Sequence, residues 1–203
     1  MTSDEHCLPL FGEDFQNKKV YSPNTKGINN PLSLFFEAEK FCSQGYYEDA
    51  FSLYLRTAKK GLMYAQSALG YLFLVGEGVE QNKEEALRWL LKASKQGDPK
   101  ANFYLGSAYL YGHGNVELDY KLALKHLTIS AEDGFVRAQY NLGKMYRDGK
   151  VGFIDYDEAE YWLVKAAEGE EVSAQYDLGC FYSDSDTGKQ DDINTISLSN
   201  FLI

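Results

Sequence analysis

The feature that most constrains this chain is that it repeats itself. The segment Ala101-Asn102-Phe103-Tyr104-Leu105-Gly106, closing with Tyr109 and Gly112, returns as Ala65, Leu69, Gly70, Phe73 and Gly76, and again as Ala138, Leu142, Gly143, Tyr146 and Gly149. A fourth copy opens at Ala174 with Leu178, Gly179 and Tyr182, so successive copies start 36, 37 and 36 residues apart. A fixed period of this size makes each copy one supersecondary unit, whose core forms by stacking on its neighbours.

Each of the first three copies is followed, 21 or 22 residues after its opening Ala, by a second half-unit: Ala86 with Trp89, Ala123 with His126, and Ala159 with Trp162. Apolar spacings of three, four and seven put each half-unit on one face of an α-helix, and Gly97 and Gly134 fall where second helices should end. Upstream, Ala50, Leu53, Ala58 and Gly61 obey the same offsets and add a unit in front. The spacing predicts first helices near 31–44, 63–75, 99–111, 136–148 and 172–183, and second helices near 47–60, 83–95, 120–133 and 156–168. The chain therefore reads as all-α. Residues 31–182 form the array, with units near 31–63, 64–99, 100–136 and 137–172 and a partial unit at 173–182.

Gly70, Gly106, Gly143 and Gly179 lie inside first helices, where Gly costs about 1 kcal/mol relative to Ala. A cost repeated four times implies a gain, and the expected one is close approach of the second helix, with Ala86, Ala123 or Ala159 as the small facing surface. Trp89 and Trp162 are expected to fill the space between layers, with His126 as their packing counterpart in the middle copy.

These residues closely resemble the Sel-1-like repeat family, a branch of the tetratricopeptide-like helical repeats, whose pattern is A-x-x-x-L-G-x-x-Y-x-x-G-x-G followed by D-x-x-x-A-x-x-W-x-x-K-A-A. The match covers about three quarters of the chain. It implies an α/α superhelix, a right-handed solenoid of antiparallel helix pairs. The first unit departs from the pattern, because Gly45-Tyr46-Tyr47 joins its helices by a short turn. The fourth departs as well: Gly152 stands where a Gly two residues after Gly149 is expected, and Glu170 takes the closing Gly position.

Resemblance to tetratricopeptide proteins implies that positions two, six and nine after each opening Ala face a peptide-binding groove. Here these are Ser67, Tyr71 and Leu74; Phe103, Ser107 and Leu110; and Tyr140, Lys144 and Arg147. Aromatic anchors with a basic end suit a peptide segment of a partner protein that carries apolar residues and an acidic group. The expected function is a non-catalytic interaction scaffold or adaptor. Two other readings stay open: an enzyme or small-molecule binder with a site between repeats, and a module that self-associates through its C-terminal repeat.

The sequence holds no HExxH, no GxSxG, no GxxxxGK followed by Ser or Thr, and no Ser with Lys three residues on. The G-x-G pairs at Gly76 and Gly112 follow helices and lack a third Gly, so they read as turns and not as phosphate loops. Three His and three widely spaced Cys (Cys7, Cys42, Cys180) suggest neither a metal cluster nor a disulfide framework. No cofactor is expected. A net charge of -10 disfavours nucleic acid and anionic membrane surfaces as partners. No stretch has the length of a membrane span, and Met1-Thr2-Ser3-Asp4-Glu5-His6 lacks the basic start and apolar run of an export signal. The expected location is cytoplasmic, with signal-independent secretion left open. Residues 1–30 read as an irregular arm and 183–203 as a polar, flexible tail.

Overall fold

The computed structural model of the protein describes residues 30–183. Among these the chain is all helical, in hairpins of successive helices: α1 (Pro31–Ser43), α2 (Tyr47–Lys59), α3 (Met63–Val75), α4 (Lys83–Ser94), α5 (Pro99–Tyr111), α6 (Tyr120–Glu132), α7 (Val136–Arg147), α8 (Tyr156–Glu168) and α9 (Val172–Ser183). The periodicity placed these boundaries to within a residue. The arm and tail expected at 1–30 and 183–203 lie almost wholly outside the described residues. The described part divides into two compact units, one reaching Tyr104 and including the turn 113–116, the other comprising 105–112 and the chain from Glu117 onward.

The second helices of the repeats begin alike. Asn82, Asp119 and Asp155 sit in extended backbone, and their side chains accept amides of the first helical turn at 3.0–3.1 Å. Such caps satisfy amides that no helical carbonyl can reach. The backbone amides of the same three residues donate back to the preceding first helix, to the carbonyls of Phe73 (3.0 Å), Tyr109 (3.0 Å) and Tyr146 (3.1 Å). This clasp closes every G-x-G turn. It also absorbs the irregularities, because the extra residue of the 37-residue spacing is taken up in a short 3-10 turn at His113–Asn115, and the clasp holds in the fourth unit despite its displaced Gly152.

The ends of second helices are tied to the next first helix by a second recurring bond. Gln66, Gln139 and Gln175 each donate through Nε2 to the carbonyl eight residues earlier, those of Ala58 (3.2 Å), Ala131 (3.1 Å) and Ala167 (3.4 Å). In α5 the equivalent residue is the shorter Asn102. There Ser94, the residue eight before, supplies the bond from its own side chain: its hydroxyl donates to Asn102 Oδ1 at 2.8 Å.

Unit one buries Phe35, Ala38, Ala50, Tyr54, Ala65, Leu69, Leu72 and Trp89 together. Unit two has a cluster of Ala159, Leu163, Ala166, Ala174, Leu178, Phe181 and Tyr182. Trp89 and Trp162 are buried as expected, and each indole N–H donates to a glutamate one turn earlier, Glu85 at 3.0 Å and Glu158 at 3.1 Å. His126, buried in their place, stacks on Tyr109 at 6.2 Å between centroids. Burial, then the charge of Lys125, holds its imidazole below the ordinary pKa.

Gly70, Gly106 and Gly143 face second helices; the nearest side chain is a leucine, and the expected alanine is also in reach at Gly70, where the Ala86 carbonyl oxygen would stand 3.2 Å from an added Cβ. A Cβ on Gly70 would stand 2.6 Å from Leu90 Cγ, on Gly106 2.6 Å from Leu127 Cγ, and on Gly143 2.8 Å from Leu163 Cγ. Each Leu lies one helical turn beyond the expected Ala, because helical side chains lean toward the N-terminus and cover the preceding turn. A Cβ on Gly179 would meet nothing within 4 Å among the described residues. The closing position of the fourth unit keeps the left-handed conformation of its glycine counterparts, although Glu170 occupies it at φ 64°.

Two consequences can be measured by denaturant unfolding. Gly106→Ala should lower stability by about 1–3 kcal/mol, as overpacking does, whereas Gly179→Ala should raise it by up to about 1 kcal/mol; equal effects would sink the close-approach account. Glu170→Gly should stabilise the chain by about 1 kcal/mol by removing left-handed strain.

Candidate functional site

The expected groove residues fall into both units. In unit one, Ser67 is buried and its hydroxyl donates to the Tyr64 carbonyl at 3.0 Å. Tyr71, half-buried, packs against Tyr104 with the rings tilted by 34° and centroids 4.8 Å apart, and Phe103 lies 5.5 Å from Tyr104. Leu74 is only 4% exposed. The turn at 113–116 covers it, since Leu74 Cδ2 lies 2.9 Å from where a Cβ on Gly114 would be. Leu74 thus supports the turn from beneath.

In unit two, Leu110 is 3% and Ser107 8% exposed. Ser107 Oγ accepts from Asn141 Nδ2 at 3.4 Å, and Asn141 Oδ1 accepts from the Tyr111 hydroxyl at 3.2 Å. Lys144 holds its ammonium 5.1 Å from the Tyr140 ring centroid, and Lys150 sits 5.7 Å from Tyr111 and 5.9 Å from Tyr120. Such placements favour the charged amine over an aromatic face.

Arg147 is engaged within the chain. Its Nη1 donates to Asp177 Oδ2 at 3.1 Å and its Nε to Asp148 Oδ1 at 2.9 Å. Burial lowers its pKa, but Asp148 and Asp177 outweigh that and hold it above the ordinary arginine value. Asp177 also accepts the Tyr140 hydroxyl at 3.1 Å. Burial and then the Asp177 charge push this phenol up to about 12. The basic end expected from Lys144 and Arg147 together therefore rests on Lys144, with Lys150 nearby in sequence, while Arg147 joins α7 to α9.

With this geometry in view, the chain can be set against known proteins. The Sel1 repeat family model matches residues 64–98, 99–135, 136–170 and 172–195, together more than half of the chain. The chain belongs to the Sel1 repeat family. Protein sel-1 homolog 2 of Mus musculus is 33% identical over 158 residues, which cover 71% of this chain and 22% of that protein. The ERAD-associated E3 ubiquitin-protein ligase component HRD3B of Arabidopsis thaliana is 36% identical over 108 residues, or 53% of this chain and 17% of its own length. Among solved structures, a protective antigen of uropathogenic Escherichia coli strains with an SLR fold superposes with a TM-score of 0.67 at 27% identity, covering 76% of this chain and 34% of the antigen. The chain spans less than a quarter of the length of both curated relatives.

Within this Sel1 repeat array, one register was missing from the sequence reading. The third residue after each opening Ala is Ala68, Tyr104, Asn141 or Asp177, and the last three supply the ring stack, the amide bridge and the carboxylate described above. Its signal was present in the sequence: the position changes chemistry in every copy while its neighbours Leu and Gly do not. Among the described residues no group of three or more His, Cys, Asp or Glu is placed to hold a metal ion, and no helix is long and apolar enough to cross a membrane.

Asp177→Ala should cost on the order of 1 kcal/mol of stability, because Arg147 and Tyr140 lose a shared, partly exposed partner. It should also move the highest-titrating phenol downward in a spectrophotometric titration, since a carboxylate that disfavours phenolate is gone. An unchanged phenol titration would contradict the assignment.

Proposed function

We propose that this Sel1 repeat chain is a non-catalytic protein-interaction scaffold, which holds a peptide segment of a partner on the first-helix faces of its units. The observation that carries the reading is a division of labour within the repeat. Positions that recur, the Ala and Leu of each copy and the Gly of the first three, are spent on packing. Positions that change, above all those three and six residues after the opening Ala, carry Tyr104, Tyr71, Asn141 and Lys144.

Several of these side chains are held by ring stacking or hydrogen bonds within the chain, so little rotamer freedom is left to lose on binding. Aromatic anchors that are already oriented are the groups from which hot spots are made. The Sel1 family, including a ligase component among the relatives, supports a partner that is a protein. On unit two an acidic side chain of the peptide would meet Lys144. A cytoplasmic setting belongs to the same reading.

The test is selection of random dodecapeptides on the whole chain, followed by titration of the selected peptides against variants. Tyr71→Ala and Lys144→Glu should each weaken peptides that engage their own unit by roughly tenfold, about 1.4 kcal/mol. Peptides that bind both variants as tightly as the parent would remove these faces as the site.

A further inference from the structure

The turn after α7 departs from the two G-x-G turns before it. Gly149 and Gly152 both take left-handed backbone, at φ 67° and 108°, and the Gly152 amide donates to the Gly149 carbonyl at 3.0 Å. Between them stands Lys150, whose own amide donates to the Met145 carbonyl at 2.9 Å. The residue after the first Gly of the turn is Glu77 in the copy that opens at Ala65, His113 in the next, and Lys150 here. A fixed backbone therefore carries a cation where earlier turns carry an acid or an imidazole.

Lys150 reaches rings of two earlier helices. Its ammonium lies 5.7 Å from the centroid of Tyr111, at the end of α5, and 5.9 Å from that of Tyr120, at the start of α6. The corresponding contacts of Lys92, Lys144 and Lys165 are local, to Trp89, Tyr140 and Tyr161 on their own helices. Repeat packing does not demand the arrangement, because neighbouring copies hold Val75 and Asp148 at the position of Tyr111. The site is open: Tyr111 and Tyr120 are 42% and 41% exposed, and Lys150 is half-buried.

What this ammonium lacks is an anion. The carboxylates closest to it in sequence are engaged elsewhere: Asp148 accepts from Arg147 Nε at 2.9 Å, and Asp155 caps α8 through the Glu158 amide at 3.1 Å. Among the described residues the Lys150 ammonium makes no ion pair. Aromatic faces attract the charge, but an ammonium has three N–H donors, and a carboxylate oxygen is their strongest acceptor. A second such cation stands close by. The Tyr111 hydroxyl donates to Asn141 Oδ1 at 3.2 Å, and Asn141 lies one helical turn before Lys144 on α7. Arg147, the third cation of this stretch, is taken up by Asp148 and Asp177.

We propose that Lys150, framed by Tyr111 and Tyr120, is a seat for a carboxylate of the bound segment, in addition to the seat at Lys144. This rests on the peptide-binding reading and narrows its partner: the segment held on unit two carries at least two acidic side chains. One carboxylate accepts from Lys144. The other accepts from Lys150, with the methylenes of its side chain against the exposed rings of Tyr111 and Tyr120. Charge complementarity selects this occupant, since a chain of net charge -10 leaves both ammoniums over tyrosine rings.

The experiment titrates the whole chain with acetyl-hexaglutamate amide, which offers carboxylates at every spacing, and with acetyl-hexaglutamine amide, which has nearly the same shape and no charge. Backbone amide shifts of Tyr111, Tyr120, Lys144 and Lys150 are followed by NMR at about 0.15 M salt, where a Debye length of about 8 Å screens the repulsion between two acidic molecules. Hexaglutamate should give saturable shifts at these amides, and hexaglutamine should bind at least about tenfold more weakly. Lys150→Met should weaken hexaglutamate by about fivefold and abolish the shifts at Tyr111 and Tyr120, whereas Lys150→Arg should keep both. Lys165→Met removes another lysine that lies over a tyrosine of unit two and should change nothing. Equal binding of the two peptides, absence of a saturable response, or undiminished binding to Lys150→Met overturns the proposal. So does an equal loss in Lys165→Met, which would mark the attraction as general charge. Selected peptides that need Lys144 and ignore Lys150 would sink this seat and leave the peptide reading standing. Selection that yields no peptide would sink the peptide reading alone, because hexaglutamate probes Lys150 directly.

Discussion

The repeat depends on one contact: a leucine of the second helix lying on the bare backbone of a glycine in the first. Gly70 with Leu90, Gly106 with Leu127 and Gly143 with Leu163 make the same approach, closer than any β-carbon would permit. Gly costs about 1 kcal/mol in the helix, and full burial of a Leu returns about 1.5–3 kcal/mol. The exchange is favourable only where both partners are present. Among the described residues Gly179 has no such neighbour within 4 Å, so there the cost stands with no offset from a described leucine.

Two polar devices set the register of that contact. The amide of each second-helix cap returns to the first helix, and the Gln ties fix the end of one second helix to the start of the next first helix. Both use backbone carbonyls near helix ends, where unsatisfied groups accumulate. Ser94 and Asn102 show that the requirement is the bond and not the residue: shortening one side chain by a methylene is met by a hydroxyl on the other. With packing and register fixed this way, insertions in the turns and changes on the outer positions alter little of the core.

The parts of the fold legible in the sequence were those governed by local periodicity. The 3.6-residue spacing gave every described helix, and the glycines gave the close approach. The facing leucine was not legible from small-residue matching, since the lean of helical side chains moves the contact one turn from the aligned alanine. Leu74 and Leu110 could not be assigned to an inside or an outside by position alone, because their burial in this structure depends on local packing such as the turn at 113–116. Arg147 looked like an open charge because Asp177, its partner 30 residues away, belongs to a register that the pattern leaves unconstrained. Pairings between variable positions of successive copies have no period to betray them.

The half-buried Asp177 on a first helix and the buried Asp98 at the start of another carry opposite burdens. Asp177 shares one oxygen between a guanidinium and a phenol, and its charge is consumed inside the chain. Asp98 is buried more deeply with an oxygen left over, at a position where sibling copies place Leu62 and Phe135. Its Oδ1 holds the Lys100 amide, so this carboxylate caps α5 where Leu62 and Phe135 leave α3 and α7 without a side-chain cap, and the burial of its charge is the cost of that cap.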